Sequence, residues 1–291
     1  MTNAPRVASL PRGTFSDEAA RYFFRDREIH QTYYKIISDV FRSTERGDTD
    51  WSVIPIENTI DGSVSLHTDW LVHEVDLPIR AEWVYPAVQN LVGRRTELAN
   101  DNGEWQPERI TKVLSHPVAM AQCYDFLRGT LPHAEQETVS STSEAIKLVS
   151  QNPDKGWAAI GTRTAAADYG LDVLQEKVTD HDNNYTRFLL VGNKEYENPA
   201  ATVYKTSILV TLPDDYPGAL HQVLAAMAWR RINLSKIESR PTKKKLGVYY
   251  FFIDILMSMD SVLLPAAIAE IEAIGCQVRV LGSYPSLPYE G

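Results

Sequence analysis

The sequence predicts an α/β protein with two regions, divided near residue 200. Before residue 195, short apolar runs alternate with amphipathic stretches, the pattern of α/β units with parallel strands. After residue 203, strand-like and helical stretches follow the order β-α-β-β-α-β, which is that of a ferredoxin-like unit. The polar segment 193–201, NKEYENPAA, contains a proline and predicts a linker. We therefore expect a first region at 1–195, a linker at 196–203 and a C-terminal unit at 204–291.

In the first region, each clear strand is followed by polar residues. The clearest strands are 52–56, 110–114, 157–160 and 188–191. Amphipathic stretches follow the first three, at 63–73, 118–127 and 163–169, the last closed by Gly170. In such sheets, ligands bind where strands end and helices begin, because oriented backbone N–H groups converge there. At these junctions stand neutral hydrogen-bonding side chains, namely Thr14, Asn58, Ser115, Gln122, Thr142 and Thr186.

In the C-terminal unit, the pattern predicts alternating strands and helices with clear ends. Strands are expected at 204–212, 234–239, 247–256 and 276–281. Helices are expected at 217–229, with Pro217 in its first turn, and at 261–274, ended by Gly275. Nothing in this unit resembles a catalytic cluster. We therefore look for catalysis in the first region.

Composition excludes several classes of function. The chain has 291 residues and a formal net charge of -9, which argues against general binding to nucleic acid or to an anionic membrane. The short basic run Lys243 to Lys245 is expected to be a solvated turn. No apolar run long enough to span a membrane and no secretory signal is found, so a cytoplasmic location is expected. Cys123 and Cys276 form no disulfide or zinc pattern and are expected in the core.

Motif searches likewise point away from cofactor chemistry. There is no G-x-G-x-x-G after a strand, no phosphate-binding G-x-x-x-x-G-K-[ST] loop, no H-E-x-x-H and no G-x-S-x-G. We expect neither a cofactor nor a metal. The neutral side chains at the strand ends suit an anionic small molecule instead.

Several candidate residues also have a structural explanation. Asn58 follows an apolar strand and is either a turn former or a ligand-binding amide. Glu57 is expected to orient that amide or fix its loop, and Gly62 with Ser63 to start a helix. Ser115 is a natural N-cap before Pro117. Gln122 lies two helical turns beyond Ser115, so the pair is expected on one face. Ser141 to Glu144 reads as a capping box that contains Thr142.

Five motifs, read together, resemble the prephenate dehydratase family across nearly the whole chain. They are Gly13-Thr14-Phe15, Pro55-Ile56-Glu57-Asn58, Ser115-His116-Pro117 through Gln122-Cys123, Ala159-Ile160-Gly161, and Asn184-Tyr185-Thr186-Arg187-Phe188. Gly218-Ala219-Leu220 and Glu238-Ser239-Arg240-Pro241 resemble the ligand-binding signature of the ACT regulatory domain. The sequence departs from the family pattern at His221, where an aromatic residue is common, and at Leu10, where glycine is usual.

The resemblance implies a fold, a reaction and a set of site residues. It implies a catalytic region of two α/β lobes resembling type II periplasmic-binding-protein lobes, followed by a ferredoxin-like βαββαβ ACT domain. It also implies conversion of prephenate to phenylpyruvate, carbon dioxide and water, with Thr186 as the central catalytic residue. The other catalytic residues implied are Asn58, Gln122 and Ser115, and those implied for substrate binding are Thr14, Glu57, Thr142, Arg187 and Phe188. For Arg187 two alternatives stay open, namely an ion pair with a carboxylate of the substrate or with a carboxylate of the protein.

For regulation, the resemblance implies an amino-acid effector, L-phenylalanine, bound between paired subunits of a homodimer or homotetramer. The implied effector-binding residues are Pro217, Gly218, Ala219, Leu220, Glu238, Ser239, Arg240 and Pro241. A rival within the same chemistry is arogenate dehydratase. A rival from another class is a non-catalytic small-molecule binding protein, because two-lobed α/β folds often only capture ligands. No chorismate mutase segment is expected before the first strand, so the monofunctional type is expected.

Overall fold

A computed structural model describes residues 4–198, 200–214, 216–241 and 249–290 of the chain. These residues divide into two compact units. The first comprises Met1–His73 and Val84–Phe188, and the second comprises Glu74–Trp83 and Leu189–Gly291. The predicted basic turn Lys243 to Lys245 lies outside the described residues, as do the first two residues of the strand predicted at 247–256.

Helices and strands alternate along most of the chain. The helices are α1 (Phe15–Phe23), α2 (Ile37–Glu45), α3 (Ser65–Asp69), α4 (Arg95–Leu98), α5 (Pro117–Ala121), α6 (Tyr124–Thr130), α7 (Thr142–Gln151), α8 (Arg163–Asp168), α9 (Ala219–Ala228) and α10 (Leu263–Ala273). The strands are β1 (Arg6–Ser9), β2 (His30–Tyr33), β3 (Trp51–Asn58), β4 (Gly62–Ser63), β5 (Ile79–Pro86), β6 (Asn90–Gly93), β7 (Lys112–Ser115), β8 (Glu135–Thr138), β9 (Trp157–Gly161), β10 (Asp172–Gln175), β11 (Tyr185–Val191), β12 (Tyr204–Thr211), β13 (Leu234–Pro241), β14 (Tyr249–Ile255) and β15 (Gln277–Leu287).

The first unit contains strands of two sheets. In one, β1 lies between β2 and β3 and pairs with both in parallel, and β11 lies on the far side of β3. In the other, the order is β10-β6-β9-β7-β8, with β7 parallel to both β8 and β9. Both arrangements are those of helix-connected α/β units, so the predicted fold class is confirmed.

Three local expectations are wrong in the first unit. β6 runs antiparallel to both of its neighbours, β10 and β9, so the sheet is not parallel throughout. The pair Gly62–Ser63 forms β4, antiparallel to β3, and the helix begins only at Ser65. The helix predicted over 118–127 is interrupted, since Gln122 ends α5 and Cys123 leaves the helical region at φ -119° before α6 begins.

The second unit contains the predicted βαββαβ order. Its sheet has the strand order β13-β14-β12-β15 with antiparallel neighbours, which is the ferredoxin-like arrangement. The helix α9 begins at Ala219 with Gly218 as its N-cap at φ 94°, so Pro217 precedes the helix instead of entering its first turn. Within this unit, Ser286 and Leu287 of β15 pair in parallel with Glu82 and Trp83 of β5.

Apolar side chains form separate cores in the two units. In the first unit, one cluster surrounds Leu91, Ile110 and Val113 and includes Cys123. In the second, Ile208, Val210 and Ile253 pack with the inner faces of α9 and α10, and Cys276 joins them. Both cysteines are free and buried, as predicted. Burial raises the pKa of Cys123 to about 12, so that its thiol stays protonated. Among the described residues, no helix has the length and hydropathy needed to cross a membrane.

Candidate active site

A cavity of about 450 Å³ lies in the first unit, where strand ends and helix starts meet. Its lining is polar at several points and apolar between them. The lining residues are Leu10, Thr14, Phe15, Ser16, Pro55, Asn58, Asp61, Gly62, Ser63, Val64, Ala87, Gln89, His116, Val118, Ala119, Gln122, Ser140, Thr142, Thr186 and Phe188. The candidates Thr14, Asn58, Gln122, Thr142, Thr186 and Phe188 are therefore brought together around one space. A cavity of this size suits a small organic molecule.

The orientation of the Asn58 amide is fixed by its own turn. Its Oδ1 accepts hydrogen bonds from the backbone N–H groups of Ile60 and Asp61, at 2.9 and 3.0 Å. The Nδ2 group must therefore point the other way, because a backbone N–H cannot accept a hydrogen bond. Asn58 is thus both a turn former and a cavity residue, and its two alternative interpretations do not compete.

Thr186 is the second residue of β11, so it lies at the N-terminal entry of this strand, beside the end of β3. Asn58 Nδ2 donates to Thr186 Oγ1 at 3.1 Å and to the Tyr185 carbonyl at 3.1 Å. Thr186 Oγ1 therefore accepts from Asn58, and the proton of its hydroxyl remains available to a molecule in the cavity.

Amide side chains extend this network to the end of α5. Asn58 Nδ2 also donates to Asn184 Oδ1 at 2.8 Å, so one of its two N–H groups is shared between acceptors, and Asn184 Nδ2 donates onward to Gln122 Oε1 at 2.9 Å. Gln122 Nε2 then donates to Asp61 Oδ2 at 2.6 Å. Each amide accepts on its oxygen and donates from its nitrogen, so the direction of the whole chain of hydrogen bonds is set by the Asn58 turn.

Gln89, the residue directly before β6, also belongs to this hydrogen-bond network. Its Nε2 donates to Gln122 Oε1 at 3.5 Å. Its Oε1 is buried and has no hydrogen-bond partner within the part of the chain that the structure describes. A buried acceptor of this kind costs free energy until a ligand or water donates to it. Because Gln89 lines the cavity, its carbonyl oxygen is a polar group available to a bound molecule.

Ser115 does not take the predicted role of N-cap. It is the last residue of β7, is fully buried, and donates from Oγ to the Ile160 carbonyl at 2.7 Å. His116 is the N-cap of α5 instead, with its Nδ1 accepting from the Val118 N–H at 3.3 Å. The shared-face argument for Ser115 and Gln122 fails, because Ser115 belongs to a strand and does not line the cavity.

Glu57 and Arg187 lie on the neighbouring strands β3 and β11. Arg187 Nη1 lies 3.5 Å from Glu57 Oε2, so the arginine pairs with a protein carboxylate. Neither residue is among those that line the cavity. The pair joins the two strands that carry Asn58 and Thr186. Of the two alternatives for Arg187, the geometry therefore favours the protein carboxylate.

Thr14 and Thr142 stand at the starts of α1 and α7. Thr14 Oγ1 donates to the Pro11 carbonyl at 2.6 Å, and Ser141 caps α7 by accepting from the Glu144 N–H at 3.1 Å, as the capping pattern predicted. Both helix starts therefore present backbone N–H groups next to the cavity, where they stabilise negative charge. Gly13 shapes the loop before α1, since it has φ 77° and a Cβ there would lie 2.7 Å from Ala165 Cβ.

Sequence reasoning missed several residues of this site, among them Asp61, Gln89, Asn184 and His116. His116 belongs to a quoted motif and Asp61 follows another one closely, yet neither was considered as a binding residue. Asn184 precedes the catalytic candidate Thr186 by two residues, which was a usable signal because residues two apart in a strand share a face. Gln89 has no motif of its own, and only its position beside Gln122 identifies it.

Charge in the cavity is sparse. Among the lining residues in the described part of the chain, the ionisable side chains are Asp61 and His116, and no lysine or arginine is present. Burial lowers the pKa of His116. Because its Nδ1 accepts from a backbone N–H, the neutral ring carries its proton on Nε2.

Nearby, His67 Nδ1 lies 2.6 Å from the Pro55 carbonyl, which can only accept, so His67 donates from Nδ1. Burial lowers the pKa of His67, and the hydrogen bond to Pro55 opposes that shift.

The predicted effector residues lie in the second unit, in two groups. The first group, Pro217 to Leu220, leads into α9 through the left-handed Gly218. The second, Glu238 to Pro241, forms the end of β13. There Arg240 Nη1 donates a hydrogen bond to Glu238 Oε1 at 3.0 Å. Strand register brings the two groups to one end of the sheet, because Thr211 of β12 and Arg240 of β13 both pair with Tyr250 of β14.

The chain is similar to known proteins over almost its whole length. The family model for prephenate dehydratase matches residues 9–196, and that for the ACT domain matches residues 206–275. Prephenate dehydratase of Bacillus subtilis is 39% identical over 95% of this chain and 96% of its own length. The chain belongs to the prephenate dehydratase family. The Methanocaldococcus jannaschii prephenate dehydratase is 36% identical over 97% of this chain and 98% of that protein.

Solved structures extend the likeness to three dimensions. The prephenate dehydratase of Arthrobacter aurescens, solved in complex with L-Phe, superimposes with a TM-score of 0.84 at 30% identity, covering 96% of this chain and 89% of that one. GqqA, described as a novel type of quorum quenching acylase, superimposes with a TM-score of 0.81 at 23% identity, covering 97% and 98%. The second likeness shows the fold alone, so the residues of the prephenate dehydratase motifs carry the functional argument.

Proposed function

We propose that this chain converts prephenate to phenylpyruvate, carbon dioxide and water in its cavity, with Thr186 donating a hydrogen bond to the departing hydroxyl. The observation that carries this proposal is the fixed direction of the Asn58 amide, which leaves the Thr186 hydroxyl proton free for the substrate. Loss of carbon dioxide and water makes the ring aromatic, so the reaction has a large driving force of its own. The protein has to orient the substrate and stabilise the charge that develops on the leaving oxygen.

The remaining polar residues of the cavity hold the two carboxylates and the ring. In our proposal, Asn58 and Gln122 orient the substrate, while Thr14 and Thr142 contact it at the starts of α1 and α7, where helix dipoles favour anions. Phe188 is nearly fully buried and supplies an apolar surface for the ring. Residues outside the lining act through others. Ser115 fixes the end of β7 from which His116 enters the cavity, and Glu57 with Arg187 aligns β3 and β11.

The second unit is proposed to sense phenylalanine. Support comes from the relative solved with L-Phe, and from the strand register that places Pro217 to Leu220 and Glu238 to Pro241 at one end of the sheet. In the described residues, β13 is the end strand of this sheet and exposes Ile237. An unpaired strand edge invites pairing with another chain. We therefore propose a homodimer or homotetramer in which the effector binds between paired second units.

Domain limits and location complete the proposal. We propose a catalytic region at 1–195, a linker at 196–203 and the ACT domain at 204–291, with a cytoplasmic location. Expression of the residues up to 195 alone, followed by a prephenate turnover assay, tests the first limit. Sedimentation of the whole chain with and without phenylalanine tests the proposed assembly, and a purely monomeric chain would contradict it.

The decisive experiment is a turnover assay on the full chain with prephenate and with arogenate, each with and without phenylalanine. Phenylpyruvate formed from prephenate, measured by its absorbance, supports the proposal, and preference for arogenate would assign the rival dehydratase. Absence of turnover with either substrate, together with tight binding of prephenate, would assign a binding protein instead. A change in rate with phenylalanine that disappears in an Arg240→Ala variant supports the effector site.

A further inference from the structure

The dehydration consumes a proton whose source is not yet assigned. Prephenate enters as a dianion and phenylpyruvate leaves as a monoanion, with neutral carbon dioxide and water as the other products. When the bond to the lost carboxylate breaks, its electron pair enters the ring and the bond to the ring hydroxyl breaks. The hydroxyl leaves as water only if it takes up a proton. Thr186 can orient that oxygen, but a threonine hydroxyl is too weak an acid to give its proton away.

Asp61 is the carboxylic acid that the cavity offers for this step. It lines the cavity, and its backbone N–H donates to Asn58 Oδ1 at 3.0 Å, the same amide that positions Thr186. Its Oδ2 accepts from Gln122 Nε2 at 2.6 Å. Its Oδ1 makes no side-chain hydrogen bond within the residues that the structure describes. One oxygen is thus held in place and the other is available.

Charge explains how an aspartate would acquire a proton near neutral pH. Among the described residues, the lining contains no lysine or arginine, so a bound dianion places its carboxylates beside Asp61 without a lysine or arginine of that lining to offset them. Like charges in one partly buried site disfavour full ionisation and favour the uptake of a proton. His116 is the other ionisable side chain of the lining. Its Nδ1 is occupied by the Val118 N–H, and its burial favours the neutral ring.

The groups that face Asp61 are therefore few. Gln122 donates to it from the end of α5, and Asn58 accepts from its backbone N–H at the end of β3. His116, at the start of α5, lines the same cavity. The ion pair of Glu57 and Arg187 lies on β3 and β11 outside the lining.

We propose that Asp61 takes up a proton when prephenate binds and delivers it to the departing hydroxyl, which Thr186 orients. The O–H bond of Asp61 breaks, a new O–H bond completes the water molecule, and the ring C–O bond breaks as the electron pair of the lost carboxylate enters the ring. Asp61 is left ionised and takes its next proton from solvent with the next substrate. This inference rests on the proposed dehydratase function, and it adds the origin of the proton.

The variant Asp61→Asn separates proton delivery from positioning. An asparagine oxygen still accepts from Gln122, but it carries no transferable proton. We expect kcat to fall by about 10² to 10⁴-fold, with KM for prephenate unchanged or lower because a negative charge has been removed. Asp61→Glu keeps a carboxyl and is expected to recover part of kcat. Asp101→Asn makes the same chemical change in an exposed turn and should leave kcat unchanged.

Calorimetry measures the proton uptake directly. In a Thr186→Ala background, which slows turnover, binding of prephenate is measured in two buffers with different ionisation enthalpies. We expect proton uptake from the buffer at neutral pH, and its loss when Asp61→Asn is added. Uptake lost with His116→Gln instead, or Asp61→Asn with a normal kcat, would overturn the assignment. If the wild-type chain turns over prephenate, either result bears on Asp61 alone, whereas a wild type without turnover refutes the function itself.

Discussion

Two buried polar clusters in this chain have similar chemistry and different surroundings. In the second unit, Ser207 Oγ donates to Asp254 Oδ1 at 2.5 Å and shares a hydrogen bond of 2.5 Å with the Tyr284 hydroxyl. All three residues are fully buried. In the first unit, the network from Asn58 to Asp61 borders the cavity. Both clusters hold a carboxylate with neutral partners, but of these two only the network in the first unit borders a cavity that a ligand can fill.

The difference shows that a buried polar cluster acquires a function through its spare hydrogen-bonding capacity. The Ser207 cluster bonds to itself across three strands, so it stabilises and specifies the sheet. In the cavity network, one end is fixed by the backbone of the Asn58 turn, and the other groups keep a donor or acceptor for a ligand. These are the Thr186 hydroxyl and the oxygen of Gln89.

The largest expected effect comes from removing the donor at the cavity. Thr186→Ala should lower kcat by about 10² to 10³-fold with the fold unchanged, because one oriented donor to a developing negative charge is lost. Thr186→Ser keeps the hydroxyl and serves as the matched control. Turnover is followed by phenylpyruvate absorbance and folding by circular dichroism. Near-normal turnover of the alanine variant would refute the role of Thr186.

A smaller loss is expected when the network is disturbed behind the lining. In Asn184→Asp, an oxygen replaces the Nδ2 that donates to Gln122, so the Gln122 amide should turn and release Asp61. We expect kcat to fall by up to about 10²-fold, since the displaced groups are the ones that orient substrate. Asn183→Asp changes an exposed neighbour and is the control. Equal activity of the two variants would show that amide direction does not matter.

The closed cluster should respond in stability and not in turnover. Ser207→Ala removes the hydroxyl that bridges Asp254 and Tyr284, which leaves buried polar groups short of a partner. A loss of about 1 to 3 kcal/mol in the free energy of unfolding is expected, with kcat unchanged below the unfolding transition. Ser235→Ala, at an exposed position of β13, is the control. Urea unfolding measures the first quantity, and a fall in kcat without loss of stability would contradict the contrast.

The smallest expected effect is a change in the pH dependence of stability at His67, which bonds to the lining residue Pro55. Burial lowers the pKa of His67 in the folded chain, so the unfolded chain binds more protons as the pH falls below the ordinary histidine value. His67 thus contributes to the loss of stability between about pH 7 and 5. His67→Asn keeps a donor to Pro55 and should make that loss smaller, whereas exposed His30→Asn should not. Urea unfolding at several pH values tests this, and parallel slopes would exclude it.

The positions of many strands could be predicted, because buried strands appear in the sequence as apolar runs. β3, β7, β9 and the βαββαβ order all appear as apolar runs at the expected positions. The apolar pattern gave wrong predictions where local hydrogen bonding decides the backbone conformation. The break at Cys123 and the strand at Gly62 leave no mark in apolar spacing, because both depend on what the neighbouring residues bond to.

The site was predictable to a different degree. Motifs identified Asn58, Gln122 and Thr186 as a set, and the structure brings them to one cavity. They did not indicate the direction of the hydrogen bonds, because an asparagine looks the same in sequence whichever way its amide points. Ser115 shows the opposite limit, since a residue with the right spacing for a helix cap is placed in a strand with its hydroxyl already bonded.

One feature of the chain path bears on how this protein reaches its native state. Glu82 of β5 is nearly fully buried and bonds to Lys205 Nζ and Ser286 Oγ, each at 2.5 Å, the latter across 204 residues of sequence. During synthesis, the early segment 74–83 must wait for nearly the entire polypeptide to emerge before its partners exist. Native contacts of such long separation close slowly, so this segment gains its native environment late in folding.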